Sequence, residues 1–215
     1  MKGLKIEQNF IPKGRPNRPG TPIKPEYITI HDTANTSKGA GAKAHSNYLK
    51  NTSNIVSWHF TVDDKTIFQH LPVTEKAFHA GNLLGNTKSI GIEICENADG
   101  NRLLAEINAS YLTARLMFLY DIEKVVQHNH WNGKDCPRVL RKTGRWKEFL
   151  ENVQVIYSLM VTYGSKEKLP TIIPVEMNGT YIPGVIIAGY TYIRAIDLQK
   201  LGHKALGLGT LVKIN

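Results

Sequence analysis

The stretch Glu26-Tyr27-Ile28-Thr29-Ile30-His31-Asp32-Thr33-Ala34-Asn35 alternates β-branched residues and then passes into small polar residues. This alternation predicts a buried β-strand that ends in a loop. His31 stands at the C-terminal end of the strand, where α/β scaffolds present the residues of their sites. A histidine that only packs at a strand end gives the same pattern, so the strand alone leaves the role of His31 open.

A second apolar run, Ser89-Ile90-Gly91-Ile92-Glu93-Ile94-Cys95, predicts another buried strand with one acidic residue. By the two-residue period of a strand, Glu93 lies on the face opposite to Ile92 and Ile94, either in solvent or in a cleft. Burying a carboxylate is costly unless it is paired or used. Further strands are predicted at residues 55–62, 66–70 and 122–126, helices at 41–49, 108–120 and 145–163, and a loop at 78–87.

The stretch Val125-Val126-Gln127-His128-Asn129-His130-Trp131-Asn132-Gly133-Lys134-Asp135-Cys136-Pro137 gathers imidazoles, an amine and a thiol in one loop. Neutral imidazole and thiolate suit a borderline-soft cation such as Zn²⁺, and Lys134 brings a fixed positive charge. The alternative is a small buried cysteine and a histidine packed against tryptophan. The loop by itself therefore leaves the metal undecided.

Three candidate ligands stand at strand or loop ends: His31, His128 and Cys136. Three protein ligands with an open fourth position are typical of a catalytic zinc, because the fourth position holds the water to be activated. Glu93 would accept a proton from that water, and Lys134 would face the oxyanion of a tetrahedral intermediate. This set suits metal-assisted hydrolysis of an amide.

The composition is that of an ordinary globular protein with an excess of positive charge. Of the 215 residues, 41% are hydrophobic, and 27 Lys and Arg against 18 Asp and Glu give a net charge of +9. An acidic polymer is therefore a plausible partner. The basic residues are scattered rather than grouped in a block or helical stripe, so an anionic carbohydrate polymer fits as well as nucleic acid.

No targeting or membrane segment is predicted from the sequence. Residues 1–8 interrupt their apolar positions with charges too early for a signal peptide, and there is no run of 18 apolar residues. We therefore expect synthesis in the cytoplasm without a signal peptide. Proline and glycine up to about Lys24 predict an arm draped on the domain, and the different settings of Cys95 and Cys136 do not suggest a disulfide.

Five motifs follow one another along residues 25–160: Ile28-Thr29-Ile30-His31, Ser57-Trp58-His59-Phe60, Ala77-Phe78-His79-Ala80-Gly81, Asn86-Thr87-Lys88-Ser89-Ile90-Gly91-Ile92-Glu93, and His128 through Lys134 to Cys136-Pro137. In order and spacing they closely resemble the type 2 N-acetylmuramoyl-L-alanine amidases. That family is shared by phage endolysins, bacterial autolysins and animal peptidoglycan-recognition proteins. The resemblance implies an α/β fold, with a central mixed β-sheet flanked by helices and a zinc ion in a cleft.

The resemblance also implies a role for each matching residue. The implied metal ligands are His31, His128 and Cys136, the general base is Glu93, the oxyanion stabiliser is Lys134, and the groove for the glycan and stem peptide is lined by Trp58, His79 and Asn35. The family spacing places one ligand eight positions before the cysteine, which favours His128 over His130. The cysteine is shared with the phage and peptidoglycan-recognition branches, whereas some relatives have aspartate there. His45, in the helix predicted at 41–49, is expected to be solvated.

The implied activity is zinc-dependent hydrolysis of the amide bond between N-acetylmuramic acid and L-alanine in peptidoglycan. The expected absence of a signal peptide favours a phage or prophage endolysin, which degrades the cell wall after release and lyses the host, over a secreted autolysin. Two other classes remain as alternatives. One is a peptidoglycan-binding protein without hydrolytic activity, and the other is a zinc protein that binds nucleic acid, for which scattered charge predicts only weak, salt-sensitive and non-specific association.

The pattern changes near Gly164 and predicts three segments. They are a zinc amidase domain at residues 1–163, a linker at 164–170, and a small α+β accessory module at 171–215. The module is predicted to hold strands and an Asn-Gly turn at 172–182, a turn at Pro183-Gly184, a helix near 193–201 and a strand at Leu211–Ile214. It has no cluster of catalytic residue types, so we expect it to tether the enzyme, bind the wall or form a homodimer, with a simple structural extension as the alternative. Residues 187–195 resemble, over a short span, a motif of copper amine oxidase N-terminal-type domains in Gram-positive wall proteins.

Overall fold

Ten strands and six helices make up the computed structural model, which describes residues 4–187, 190–194 and 211–214. The strands are β1 (Ile6–Gln8), β2 (Tyr27–Asp32), β3 (Phe60–Val62), β4 (Ile67–Gln69), β5 (Ser89–Ile94), β6 (Lys124–Gln127), β7 (Thr171–Met177), β8 (Thr180–Ile187), β9 (Tyr190–Arg194) and β10 (Leu211–Ile214). The helices are α1 (Ala42–Asn51), α2 (Leu83–Lys88), α3 (Arg102–Tyr120), α4 (Asn129–Asn132), α5 (Arg138–Lys142) and α6 (Trp146–Tyr163).

Six of these strands form one mixed sheet in the order β1-β4-β3-β5-β2-β6. Neighbouring strands are parallel except for the antiparallel pair β3 and β4. The predicted α/β fold with a central mixed sheet is confirmed. Where β2 pairs with β5, His31 lies opposite Glu93, so the two side chains leave the same face of the sheet as neighbours.

The opposite face of β2 and β5 forms the main hydrophobic core. Five isoleucines of these strands are fully buried in one cluster with apolar residues of α3 and α6: Ile28, Ile30, Ile90, Ile92 and Ile94. Each buried isoleucine side chain contributes roughly 1.5–3 kcal/mol of transfer free energy. This core fixes the strand register, because a slip by one residue would turn the isoleucines out and the polar residues in.

Several element boundaries differ from the prediction. Helix α3 begins at Arg102, earlier than predicted, because the side chain of Asn101 accepts a hydrogen bond from the first turn and caps it. Helix α2 begins within the predicted loop 78–87, ends one residue beyond it, and is capped in the same way by Asn82. The strand predicted at 55–62 is reduced to β3. The two capping asparagines mark the starts of these helices, and the spacing of apolar residues used for the prediction does not include them.

The N-terminal arm is packed more deeply than its composition indicates. β1 joins the sheet as an edge strand beside β4, and Ile11 is fully buried. The guanidinium of Arg18 donates two hydrogen bonds of 2.8 Å to the carboxylate of Glu75. Such a bidentate ion pair adds geometric specificity as well as energy, and it fastens the arm to the domain.

The C-terminal strands form a second, antiparallel sheet in the order β10-β9-β8-β7. The predicted Asn-Gly turn is confirmed, with positive φ at both Asn178 and Gly179. The turn predicted at Pro183-Gly184 is wrong, because β8 runs through both residues. The absence of a side chain at Gly184 accommodates Val175, whose methyl group would lie 2.6 Å from an added Cβ.

The helix predicted at 193–201 begins on residues that belong to β9, and its positions 195–201 lie outside the described residues. Of the motif at 187–195, residues 188, 189 and 195 also lie outside them. Ile172 of β7 and Val185 of β8 are buried in the same cluster as α3 and α6. The second sheet therefore packs on the helical layer of the first.

Among the described residues, none of the helices combines the length and the apolar character that crossing a membrane demands.

Candidate active site

The candidate site lies at the carboxyl ends of β2, β5 and β6. His31 is the penultimate residue of β2. Its Nδ1 lies 3.9 Å from Oε1 of Glu93 on β5. His128 directly follows β6, and its backbone N–H donates to the carbonyl of Ile30 at 3.2 Å. The loop after it folds back, because the N–H of Asn129 donates to the carbonyl of Cys136 at 3.0 Å. This closure brings the cysteine beside the two histidines.

The three predicted ligands are buried and converge on one point. The ligand atoms of His31, His128 and Cys136 all lie within 4.8 Å of one another. Cys136 Sγ is 3.8 Å from His31 Nδ1, and the two imidazole centroids are 4.6 Å apart. Neither Cys136 nor Cys95 forms a disulfide. The fold therefore places close together the three residues that the sequence indicated as candidate ligands.

Hydrogen bonds decide which ring nitrogens face this point. His31 Nε2 lies 2.9 Å from Nδ1 of His79, which leaves Nδ1 of His31 toward Cys136. His128 Nε2 lies 3.2 Å from Nδ2 of Asn132, and its Nδ1 is buried with no hydrogen-bond partner among the described residues. Two imidazole Nδ1 atoms and one sulfur are a donor set that suits tetrahedral zinc with one open position.

The protonation states agree with such a donor set. Burial lowers the pKa of both His31 and His128, so the imidazoles are neutral and their nitrogens can coordinate. Burial, followed by the charge of Glu93, raises the pKa of the Cys136 thiol to about 12, while a hydrogen bond from the backbone of Asp32 opposes the rise. A divalent cation reverses this balance, since a coordinating thiol is deprotonated outright.

Glu93 has the properties of a proton-transfer group. Burial, followed by the nearby charge of Asp32, holds the pKa of the Glu93 carboxyl well above its usual range. Its Oε2 is buried and has no hydrogen-bond partner among the described residues. A carboxylate with a raised pKa beside a candidate metal site is typical of a catalytic base or acid.

Lys134 lies on the exposed part of the loop between the two ligands it separates in sequence. Its positive charge lowers the pKa of His31, His128, Glu93 and Cys136. The ammonium is therefore near enough to affect these four groups electrostatically, although the side chain is exposed. A positive charge beside the site can stabilise a developing oxyanion.

The predicted groove residues occupy two different places. Asn35 and Trp58 line a groove of about 390 Å³ beside the end of β2, together with Thr33 and Tyr48. His45 lines the same groove and is 8% exposed. The expectation that His45 is solvated is wrong, because its Nδ1 lies 3.0 Å from the carbonyl of Gly41 at the start of α1.

His79 lies behind the ligands rather than in that groove. It is 8% exposed, and burial lowers its pKa to about 3. The side-chain oxygen of Asn86 accepts hydrogen bonds from the backbone N–H groups of His79 and Ala80 at 3.0 and 2.8 Å. The loop is thereby fixed, and the ring of His79 is held against Nε2 of His31. Such an outer contact sets the tautomer and orientation of a ligating histidine.

His130, the competing ligand, is exposed on the short helix α4 and does not join the metal-ligand cluster. Its ring lies beside Tyr27 and Trp131, at centroid distances of 6.2 and 4.8 Å. Asn132, one helical turn beyond His128, contacts the ring of that predicted ligand through its side-chain amide. The contact between Asn132 and His128 was not predicted from the sequence. The only signal for it is their separation of four residues, which places two side chains on the same face of a helix.

Residues 20–139, more than half of the chain, match the protein family described as N-acetylmuramoyl-L-alanine amidase. The chain belongs to this family. The resemblance drawn from the five motifs is confirmed. The matched range of the amidase family includes every residue predicted for the site and ends before α6.

Individual members of the amidase family are similar over the same region. N-acetylmuramoyl-L-alanine amidase CwlH of Bacillus subtilis (strain 168) is 51% identical over 153 residues, which cover 69% of this chain and 60% of CwlH. Two solved structures, described as the catalytic domain of XlyA and as a mutant endolysin from Bacillus subtilis, share 52% identity and a TM-score of 0.67. Each alignment covers 70% of this chain and 99% of the other. The chain spans 50% to 60% of the length of the first curated relatives.

Proposed function

We propose that the protein is a zinc-dependent N-acetylmuramoyl-L-alanine amidase. The bond it cleaves joins the lactyl group of N-acetylmuramic acid to L-alanine of the stem peptide in peptidoglycan. The observation that carries the proposal is the convergence of two imidazole nitrogens and a thiol within 4.8 Å, with a partly buried carboxyl group beside them. Membership of the amidase family supports the same activity.

The donor atoms assigned to zinc are Nδ1 of His31, Nδ1 of His128 and Sγ of Cys136. The unpartnered, buried Nδ1 of His128 supports this assignment, because a buried polar atom without a partner is costly unless something else satisfies it. When bound, zinc supplies a Lewis acid that makes water acidic enough to be a nucleophile near neutral pH and polarises a carbonyl.

Glu93 moves the proton in this proposal. Its carboxylate accepts a proton from the attacking water and then delivers it to the amine nitrogen of the departing L-alanine. The raised pKa of the Glu93 carboxyl suits both halves of this transfer, because it makes the carboxylate a stronger base and populates the protonated form closer to neutral pH. Proton transfer by a positioned group contributes typically 10²–10⁴-fold to the rate.

Lys134 and the groove residues complete the proposed site. The ammonium of Lys134 stabilises the negative charge that develops on the carbonyl oxygen of the scissile amide. Asn35 and Trp58 bind the glycan and stem peptide in the groove beside β2. The position of His79 supports a role in holding His31 rather than in contacting substrate.

The biological setting that we propose is that of a phage or prophage endolysin, which acts on the cell wall after release from the cytoplasm. A bacterial autolysin is the alternative within the same activity. For residues 171–215 we propose an accessory module that binds the wall or pairs two chains. Sedimentation velocity with and without purified wall fragments tests the module: a monomer that does not co-sediment with walls would contradict both roles.

The activity is tested by the turbidity of purified cell walls. The zinc-loaded protein should clear them, a chelator should stop the clearing, and added zinc should restore it. Glu93→Ala should lose about 100- to 10,000-fold of the rate while still binding walls. Wall binding without clearing by the zinc-loaded native protein would instead identify a non-hydrolytic peptidoglycan-binding protein.

A further inference from the structure

One arginine joins the two strand ends that carry the site. Arg102, the first residue of α3, donates from Nη2 to Oδ1 of Asp32 at 2.6 Å. Its Nη1 donates to the carbonyls of Cys95 at 3.1 Å and Ile94 at 3.3 Å. Asp32 directly follows the ligand His31, and Ile94 directly follows Glu93. A single guanidinium therefore spans β2 and β5 immediately beyond their functional residues.

Asp32 extends this connection to the third ligand. Its carboxylate is 2% exposed, and Oδ2 accepts a hydrogen bond of 2.6 Å from the backbone N–H of Val139. Val139 lies three residues after Cys136. The carboxylate of Asp32 thus holds the segment that carries the cysteine.

The far side of Arg102 is fixed as well. Its Nε donates to Oε1 of Glu106 at 2.8 Å, one helical turn along α3. Arg145 donates to the same carboxylate at 2.7 and 3.0 Å. The charges form a partly buried chain in which each group has a partner, so removing an inner member leaves its neighbours unpaired.

We propose that Arg102 and Asp32 are positioning residues that hold His31, Glu93 and Cys136 in the geometry the metal requires. This inference rests on the ligand assignment under the proposed function. Neither residue is assigned to zinc or to substrate; they act through the strand ends and through the cysteine segment. Partners of this outer kind typically change metal affinity by 10- to 100-fold when removed.

The test compares the zinc affinity of four variants with that of the native protein, by competition with a chromogenic chelator at a temperature where all are folded. Arg102→Ala and Asp32→Asn should each bind zinc about 10- to 100-fold more weakly. Arg102→Lys keeps the charge but loses the fork that reaches two strands, so it should lose less than Arg102→Ala. Arg145→Ala is the matched control, since it breaks an ion pair to the same Glu106 without touching either strand end.

Unchanged zinc affinity in folded Arg102→Ala and Asp32→Asn would overturn the inference. An equal loss in Arg145→Ala would also overturn it, because the effect would then come from general destabilisation. If Arg102→Ala fails to fold, Asp32→Asn and Arg102→Lys decide by the same criteria. Failure of the native protein to bind zinc would refute the proposed metal site itself, which distinguishes that outcome from failure of the positioning role.

Discussion

Gly91→Ala should disturb the site from a position that touches neither metal nor substrate. Gly91 lies on β5, directly beneath the imidazole of His79. A Cβ at position 91 would be 2.7 Å from Cγ and 2.8 Å from Nδ1 of that ring. Ordinary contacts begin near 3.4 Å, so the ring must withdraw by about 0.7 Å, which is 3.4 minus 2.7.

The substitution should lower both the stability of the protein and its affinity for zinc, because the ring of His79 is buried and contacts His31. Overpacking a buried site in this way costs about 1–3 kcal/mol of unfolding free energy. His79 Nδ1 is also the atom that lies 2.9 Å from His31 Nε2. A shift of the same size along that bond would lengthen it to about 3.6 Å, which is beyond hydrogen-bonding range. We therefore expect weaker zinc binding, by about tenfold or more, together with the loss of stability.

Urea unfolding of a double-mutant cycle tests this reasoning. Gly91→Ala is made in the native background and again in His79→Ala, where the obstructing ring is gone. The cost of the added methyl group should largely vanish in the second background, because the two residues are in direct contact. An equal cost in both backgrounds, or native stability and zinc affinity for Gly91→Ala alone, would refute the steric argument.

Three further predictions concern the ligands, the oxyanion and pH. His128→Ala should lose bound zinc by elemental analysis whereas His130→Ala retains it; the reverse result would contradict the ligand assignment. Lys134→Met should lower kcat about 100- to 1,000-fold on a soluble muropeptide with little change in KM, and Lys142→Met, an exposed lysine on α5, should not. Burial lowers the pKa of His59 to about 4 from 6.5, so the unfolded chain takes up a proton that the folded ring refuses. The unfolding free energy should therefore fall by up to about 3 kcal/mol as pH falls from 6.5 to 4, and His59→Gln should flatten that pH profile; an unchanged profile would contradict it.

The parts of the site that the sequence predicts are those that depend on local pattern. The two-residue period placed Glu93 opposite the isoleucines, and the end of an alternating run placed His31 at the edge of the sheet. The register of β2 and β5 then makes them neighbours. The convergence of His128 and Cys136 followed from motif spacing within one loop, which the fold closes by the hydrogen bond from the Asn129 N–H to the Cys136 carbonyl and by bonds from the Asn129 side chain.

The parts that the sequence did not predict depend on contacts between distant residues. Arg102 and Asp32 are 70 positions apart, and no local pattern indicates that they pair. His45 was expected in solvent on its predicted helix, yet the packing of α1 buries it. Pro183-Gly184 reads as a turn by composition, but pairing along the whole of β7 keeps β8 extended through it. In each case tertiary packing overrides the local preference.

Mass spectrometry of peptidoglycan digested by the native, zinc-loaded protein tests the central claim most directly. The account predicts stem peptides with a new free amino group on L-alanine and glycan chains with an intact N-acetylmuramic acid bearing a free lactyl carboxyl group. With Glu93→Ala both products should form about 100- to 10,000-fold more slowly. A new reducing end on the glycan, or a cut within the stem peptide, would contradict the proposed amidase activity.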